Sequence, residues 1–130
     1  MRLFVGLVVL LVFVMVGCAP YAPTSIAYEE IPSEGDINRG AELFNAPTNG
    51  TTACISCHVE SNAASPNLEG LADVAASRVE EETAREYVFY SITEPARHIT
   101  EGFGNAMPND YDEKLSPQQI ADLIAYVLSL

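Results

Sequence analysis

At 130 residues the chain is long enough for one domain with some chain to spare. Eighteen Asp and Glu against six Lys and Arg give it a formal charge of −12. That excludes the basic stripe of a nucleic-acid-binding surface and any electrostatic hold on anionic lipid.

The first stretch runs from Arg2 into an unbroken apolar segment, Leu3 to Gly17. A short charged start followed by about 15 apolar residues has the make-up of an export signal. It is short for a membrane-spanning helix, which needs about 20 residues, although an uncleaved anchor stays open. The run ends in Met15-Val16-Gly17-Cys18-Ala19. This resembles a bacterial lipoprotein signal, which implies cleavage before Cys18 and a lipid on that cysteine. Met15 stands where such signals more usually carry Leu. Residues 1–17 are therefore read as an export signal and 18–35 as anchor cysteine and flexible tether. Pro20, Pro23 and Pro32 break up the tether, and no helical or strand period runs through it. Extended at about 3.1 Å per residue, a tether of that length reaches on the order of 50 Å.

The folded domain is expected over 36–130. Ser33 or Asp36 is fit to cap a first helix, with Ile37, Gly40, Ala41 and Phe44 on one stripe. Gly40 lets another helix come close. The helix must end before Pro47, and Asn49-Gly50 marks a turn.

Cys54-Ile55-Ser56-Cys57-His58 comes next. C-x-x-C-H is the attachment signature of a c-type haem. The two thiols can form thioether bonds with the haem vinyl groups, and the adjacent histidine is carried to the iron as an axial ligand. A redox CxxC or half of a zinc site is the alternative. Zinc needs four ligands, and a second pair is hard to find here. With Cys18 lipidated and Cys54 and Cys57 on haem, none of the three cysteines is left over.

Val59 to Arg78 reads as loop with a short turn of helix. A second helix is expected from Glu80 to Thr93, with Ala84, Tyr87, Val88, Ser91 and Ile92 buried. Glu80, Glu81 and Glu82 would sit in its first turn, where the helix dipole favours anions, and Pro95 would end it. Glu94 to Leu115 reads as irregular, with Gly102 and Gly104 closely spaced. Ser116 and Pro117 open a last helix, whose apolar stripe is Ile120, Leu123, Ile124, Val127 and Leu128. The fold class is all-α, with three main helices and long loops. Loops this long count against a compact domain unless a large apolar body such as a haem lies inside them.

A haem iron held by His58 needs a sixth ligand or an open site. Met1 and Met15 lie in the export signal, so Met107 is the one methionine of the mature domain. Pro108 pushes it toward extended backbone, and a thioether raises the potential of the iron. His98 is the other candidate, and adaptable core filler is the plain alternative for a lone methionine.

Together these residues resemble the class I c-type cytochromes, the small bacterial monohaem kind, over about Gly35 to Leu130. Gly40 and Phe44 look like the family's glycine–aromatic pair on the first helix, and Leu123 and Tyr126 like the matching pair on the last. The resemblance implies that these two helices cross closely. It implies that the Pro66 carbonyl accepts a hydrogen bond from His58, that Leu68 packs on the haem, and that Arg78 lies near a propionate. Met107-Pro108 is similar to the distal ligand segment, and Asn105 and Tyr111 are candidates for hydrogen bonds near the haem.

The expected function is electron transfer by one covalent haem c with His58 and Met107 as axial ligands, and no catalytic residues. The expected location is the outer face of a bacterial cytoplasmic membrane. The expected partners are a quinol-oxidising complex, a terminal oxidase or a photosynthetic reaction centre; the acidic charge fits either a basic docking face on them or simply a soluble, self-repelling surface. A fixed subunit of such a complex is equally compatible. A haem enzyme or gas sensor with a labile sixth ligand is the alternative.

Overall fold

The computed structural model describes residues 26–130, and every regular element among them is helical. The calls on residues 1–25, the export signal and Cys18 among them, lie outside the described residues. Five α-helices follow one another: α1 (Ile37–Asn45), α2 (Leu71–Val74), α3 (Ala84–Thr93), α4 (Tyr111–Lys114) and α5 (Pro117–Val127). Short 3-10 turns stand at Tyr28–Glu30, Cys54–Ser56 and Ala75–Ser77. The three long helices are those the sequence announces, and α2 is the short turn expected in the first loop.

α1 starts where Asp36 can cap it, its carboxylate accepting from the Arg39 N–H at 2.9 Å. It stops at Asn45, since the residue before Pro47 is driven out of helical space and Ala46 is extended. Asn49 and Gly50 then both take positive φ, 51° and 80°, and Thr51 N–H closes onto the Thr48 carbonyl at 2.8 Å. This is the tight turn that a pair of left-handed residues forms.

α5 opens on Ser116 with a capping box closed by Gln119, and Pro117 sits at its first position. Its buried face is Ile120, Leu123, Ile124 and Val127. α1 lies across it. A Cβ added to Gly40 would fall inside the Asp122 carbonyl and 2.7 Å from Tyr126 Cβ. The glycine costs the helix about 1 kcal/mol against alanine, and the approach it permits buries Phe44 to 3% exposure. The Phe44 and Tyr126 rings meet with centroids 5.2 Å apart.

A carboxylate sits inside this crossing. Asp122, 2% exposed, accepts from the Asp36 N–H (2.7 Å), Arg39 Nε (2.7 Å), Arg39 Nη2 (2.9 Å) and Gln118 Nε2 (2.9 Å). Burial works to raise its pKa, but the Arg39 guanidinium and the other donors outweigh it and hold the carboxyl below its ordinary value.

Four expectations need correction. α3 begins at Ala84, not Glu80, because Thr83 caps it in a box with Glu86. Glu80 to Glu82 therefore lie ahead of the helix, and Glu81 has a left-handed φ of 69°. The buried face of α3 is also wider than predicted: Ala84 and Ser91 are half-buried, while Phe89 is 1% exposed. The span from Glu94 to Leu115, read as irregular throughout, contains α4.

The fourth correction explains the second. Residues 26–35, read as tether, pack on the domain. Ile31 is buried. Tyr28 stands edge-on to Phe89 with centroids 5.3 Å apart, and the Pro32 carbonyl accepts from Arg85. Proline-rich composition suggested a linker, but Tyr28 and Ile31, one turn apart, supply apolar contacts that composition hides.

Candidate haem-binding site

The Cys54–Ser56 turn folds the attachment motif into a tight bend. Cys57 N–H bonds the Cys54 carbonyl at 3.1 Å, and His58 N–H bonds the same carbonyl at 2.9 Å. Cys54 is half-buried, and burial pushes its thiol up to about 11; Cys57 is exposed. Both sulfur-bearing residues and His58 line one cavity of about 300 Å³.

The loop after His58 is held to the motif by hydrogen bonds. The Cys57 carbonyl accepts from Asn62 Nδ2 at 2.9 Å and from Ser65 Oγ at 2.6 Å. This brings Pro66 back beside the histidine, with His58 Nδ1 2.9 Å from the Pro66 carbonyl. A carbonyl can only accept, so Nδ1 carries the proton, and Nε2 of the neutral ring keeps its lone pair for a metal. Nothing in the sequence singles out Asn62 and Ser65. Small polar residues between His58 and Pro66 were the available signal, but nothing in their spacing says that both bend back to one carbonyl.

The far side of the cavity is built from the end of α3 and the loop that follows. Tyr87, Val88, Ser91 and Ile92 line it from α3. The loop continues through His98, Ile99 and Phe103 to Met107, all of them lining residues. Gly102 takes φ +87°, a left-handed turn; Gly104 does not. His98 is half-buried, with its ring 5.6 Å from that of Tyr87. Behind the loop, the Arg97 guanidinium lies 3.6 Å over the Tyr90 ring and 2.9 Å from Glu82 Oε1.

Tyr111 ties the two sides together. It is buried on α4, just past Met107, and its hydroxyl donates to the Thr52 carbonyl at 2.9 Å, two residues before Cys54. Burial first, then the neighbouring cysteines, pushes that phenol up to about 12.

The candidate haem-site residues of the folded domain are thus brought to one place. Pro66, Leu68, Arg78 and Asn105 line the cavity with Cys54, Cys57, His58 and Met107. Arg78 is exposed at its edge. No Asp or Glu stands among the described lining residues, although the chain carries eighteen. Nor do three His, Cys, Asp or Glu gather anywhere among the described residues to hold a bare metal ion. The donor set fits a haem. The porphyrin brings four of the iron's ligands itself, so one imidazole and one further group are all the chain must supply, inside an apolar wall.

The cytochrome c family model matches residues 37–130, and a search of curated proteins finds no match. The match spans most of the chain, which belongs to the cytochrome c family. Its cofactor is the covalent haem c that this family binds, with Cys54, Cys57 and His58 as the attachment motif, and its activity is of the family's general kind, haem-based electron transfer.

Proposed function

We propose that the protein is a single-haem electron carrier whose iron is held between His58 and Met107. The observation that carries this reading is the free Nε2 of His58, with Nδ1 spent on Pro66, in the cavity that Met107 also lines. Bound haem supplies one-electron chemistry between Fe(III) and Fe(II). The residues of this chain keep the site still during that change. Pro66 holds the His58 ring in one orientation and strengthens it as a donor. Tyr111 and Thr52 hold the Met107 segment against the attachment loop. Phe44, Val88, Ile92 and Leu123 keep water out. A site whose two ligands stay bound in both states has little to rearrange when an electron arrives.

The reading extends to place and partner. An export signal ending at Cys18 and a lipid on that cysteine would fix the domain to the outer face of a bacterial cytoplasmic membrane. Seven residues lie between Cys18 and Ile26, a span of at most about 30 Å. The docked 26–35 segment thus shortens the reach that composition alone suggests. The partners are membrane redox complexes, a quinol oxidiser on one side and an oxidase or reaction centre on the other. They would meet this acidic chain with a basic face.

Mixing the reduced holoprotein with carbon monoxide tests the carrier reading. Negligible binding over minutes is expected of iron with both axial positions filled. Rapid, complete binding would show an open or labile sixth site and favour a gas sensor or haem enzyme instead.

A further inference from the structure

The segment from Ile26 to Asp36 lies outside the stretch that matches the family, which begins at Ile37. It is nevertheless packed at three places. Tyr28 meets Phe89 at 5.3 Å and Tyr90 at 6.5 Å between centroids. Pro32 accepts from Arg85 on the same helix. Farther along, Glu34 accepts from Gln118 at 3.4 Å, and Gly35 lies so close to the Ala121 carbonyl that a Cβ there would overlap it. The segment therefore crosses from α3 to α5 before it turns into α1.

The face of α3 that it covers matters. Residues advance by about 100° around a helix. Tyr87, Val88, Ser91 and Ile92 share the face that lines the haem cavity, whereas Arg85 and Phe89 are turned well away from its centre. Neither of the two lines the cavity. Phe89 is 1% exposed with the strap over it. The same helix is thus wall on one side and strap seat on the other.

We propose that the 26–36 strap is a brace for the haem wall, and that Tyr28 is a positioning residue for the haem, acting through Phe89 on α3. The strap clamps α3 from behind and ties it to α5, so that Val88 and Ile92 stay pressed against the haem. The inference rests only on a haem in the cavity, not on the identity of the sixth ligand or of the partner. Loosening the brace lets water approach the haem. Water stabilises the more highly charged ferric site, so the reduction potential falls.

The test uses the full-length holoprotein with Tyr28→Ala, Tyr28→Phe and, as a milder release of the strap, Arg85→Met. Tyr28→Ala is expected to lower the midpoint potential and to speed amide exchange in α3 by about tenfold or more through local opening. Tyr28→Phe keeps the ring and restores both. Arg85→Met lowers the potential by less, and it carries the test if Tyr28→Ala does not accumulate. Ser116→Ala, which removes the cap of α5 away from the cavity, is the control. It should lower the unfolding temperature and leave the potential unchanged. A wild-type potential in both Tyr28→Ala and Arg85→Met, or an equal shift in Ser116→Ala, would overturn the proposal.

Discussion

Where α1 crosses α5 the contact is backbone on backbone, with Gly40 under the Asp122 carbonyl and a buried carboxylate tied by four hydrogen bonds. Where the strap crosses α3 the contact is ring on ring, with Tyr28 edge-on to Phe89. The two differ in what they tolerate. A backbone contact has no side chain that can move aside, and a buried carboxylate cannot lose one donor without leaving charge unpaired. An aromatic contact yields by degrees, because its strength follows the area covered.

The largest expected effect is at the crossing. Gly40→Val places two methyl groups where the Asp122 carbonyl stands, and the helices must part. The loss is about 3 kcal/mol or more, read as a fall in the urea midpoint of the holoprotein or as failure to accumulate. A folded Gly40→Val protein of wild-type stability would erase the distinction between the two contacts.

Asp122→Ala comes next, at about 2–4 kcal/mol, since it strips partners from Arg39 and the Asp36 N–H together. The same carboxylate sets a pH dependence. Its folded pKa lies below the ordinary 3.8, so its contribution is fully present above that value and fades as pH falls through the folded pKa. Urea unfolding from pH 6 downward should show stability falling below about pH 4. Asp122→Asn should lose the part of that fall due to this residue; an identical curve would mean that other carboxylates carry it.

On the strap side, Phe89→Leu keeps most of the volume and is expected to cost about 1 kcal/mol, measured by the same unfolding curve. A loss as large as that of Gly40→Val would make the two regions alike. Smallest is Arg97→Gln, which removes the guanidinium over Tyr90 and its pairing with Glu82. Its effect on the unfolding midpoint should be the least of the series and shrink further with added salt.

The same contrast governs how much could be read before the fold was known. α1 and α5 were legible because their apolar residues repeat at helical spacing and end at recognisable caps, with Asp36, Ser116 and Pro117 at the starts and Pro47 beyond the stop; that the two cross came only from the family resemblance. The attachment motif was legible because its chemistry is local, five residues in a row. Met107 could be singled out as the one methionine beyond residue 17. Phe89 could not, because its burial depends on Tyr28, some sixty residues earlier, in a segment whose prolines suggested a tether. The start of α3 was placed too early because the glutamates at 80–82 suit a first turn, while the Thr83–Glu86 box that sets the boundary outweighs them. Arg39 and Asp122 gave no periodic signal at all: Asp122 lies off the apolar stripe of its helix, and its partner is found only across the crossing.

The central claim is that His58 and Met107 hold the iron between them, and the far-red absorbance of the oxidised holoprotein tests it most directly. A weak sulfur-to-iron charge-transfer band is expected in the wild type and in His98→Ala. In Met107→Leu it should vanish, with conversion to an iron that binds carbon monoxide when reduced. A low-spin spectrum unchanged by Met107→Leu but lost in His98→Ala would contradict the account and place His98, not Met107, on the iron.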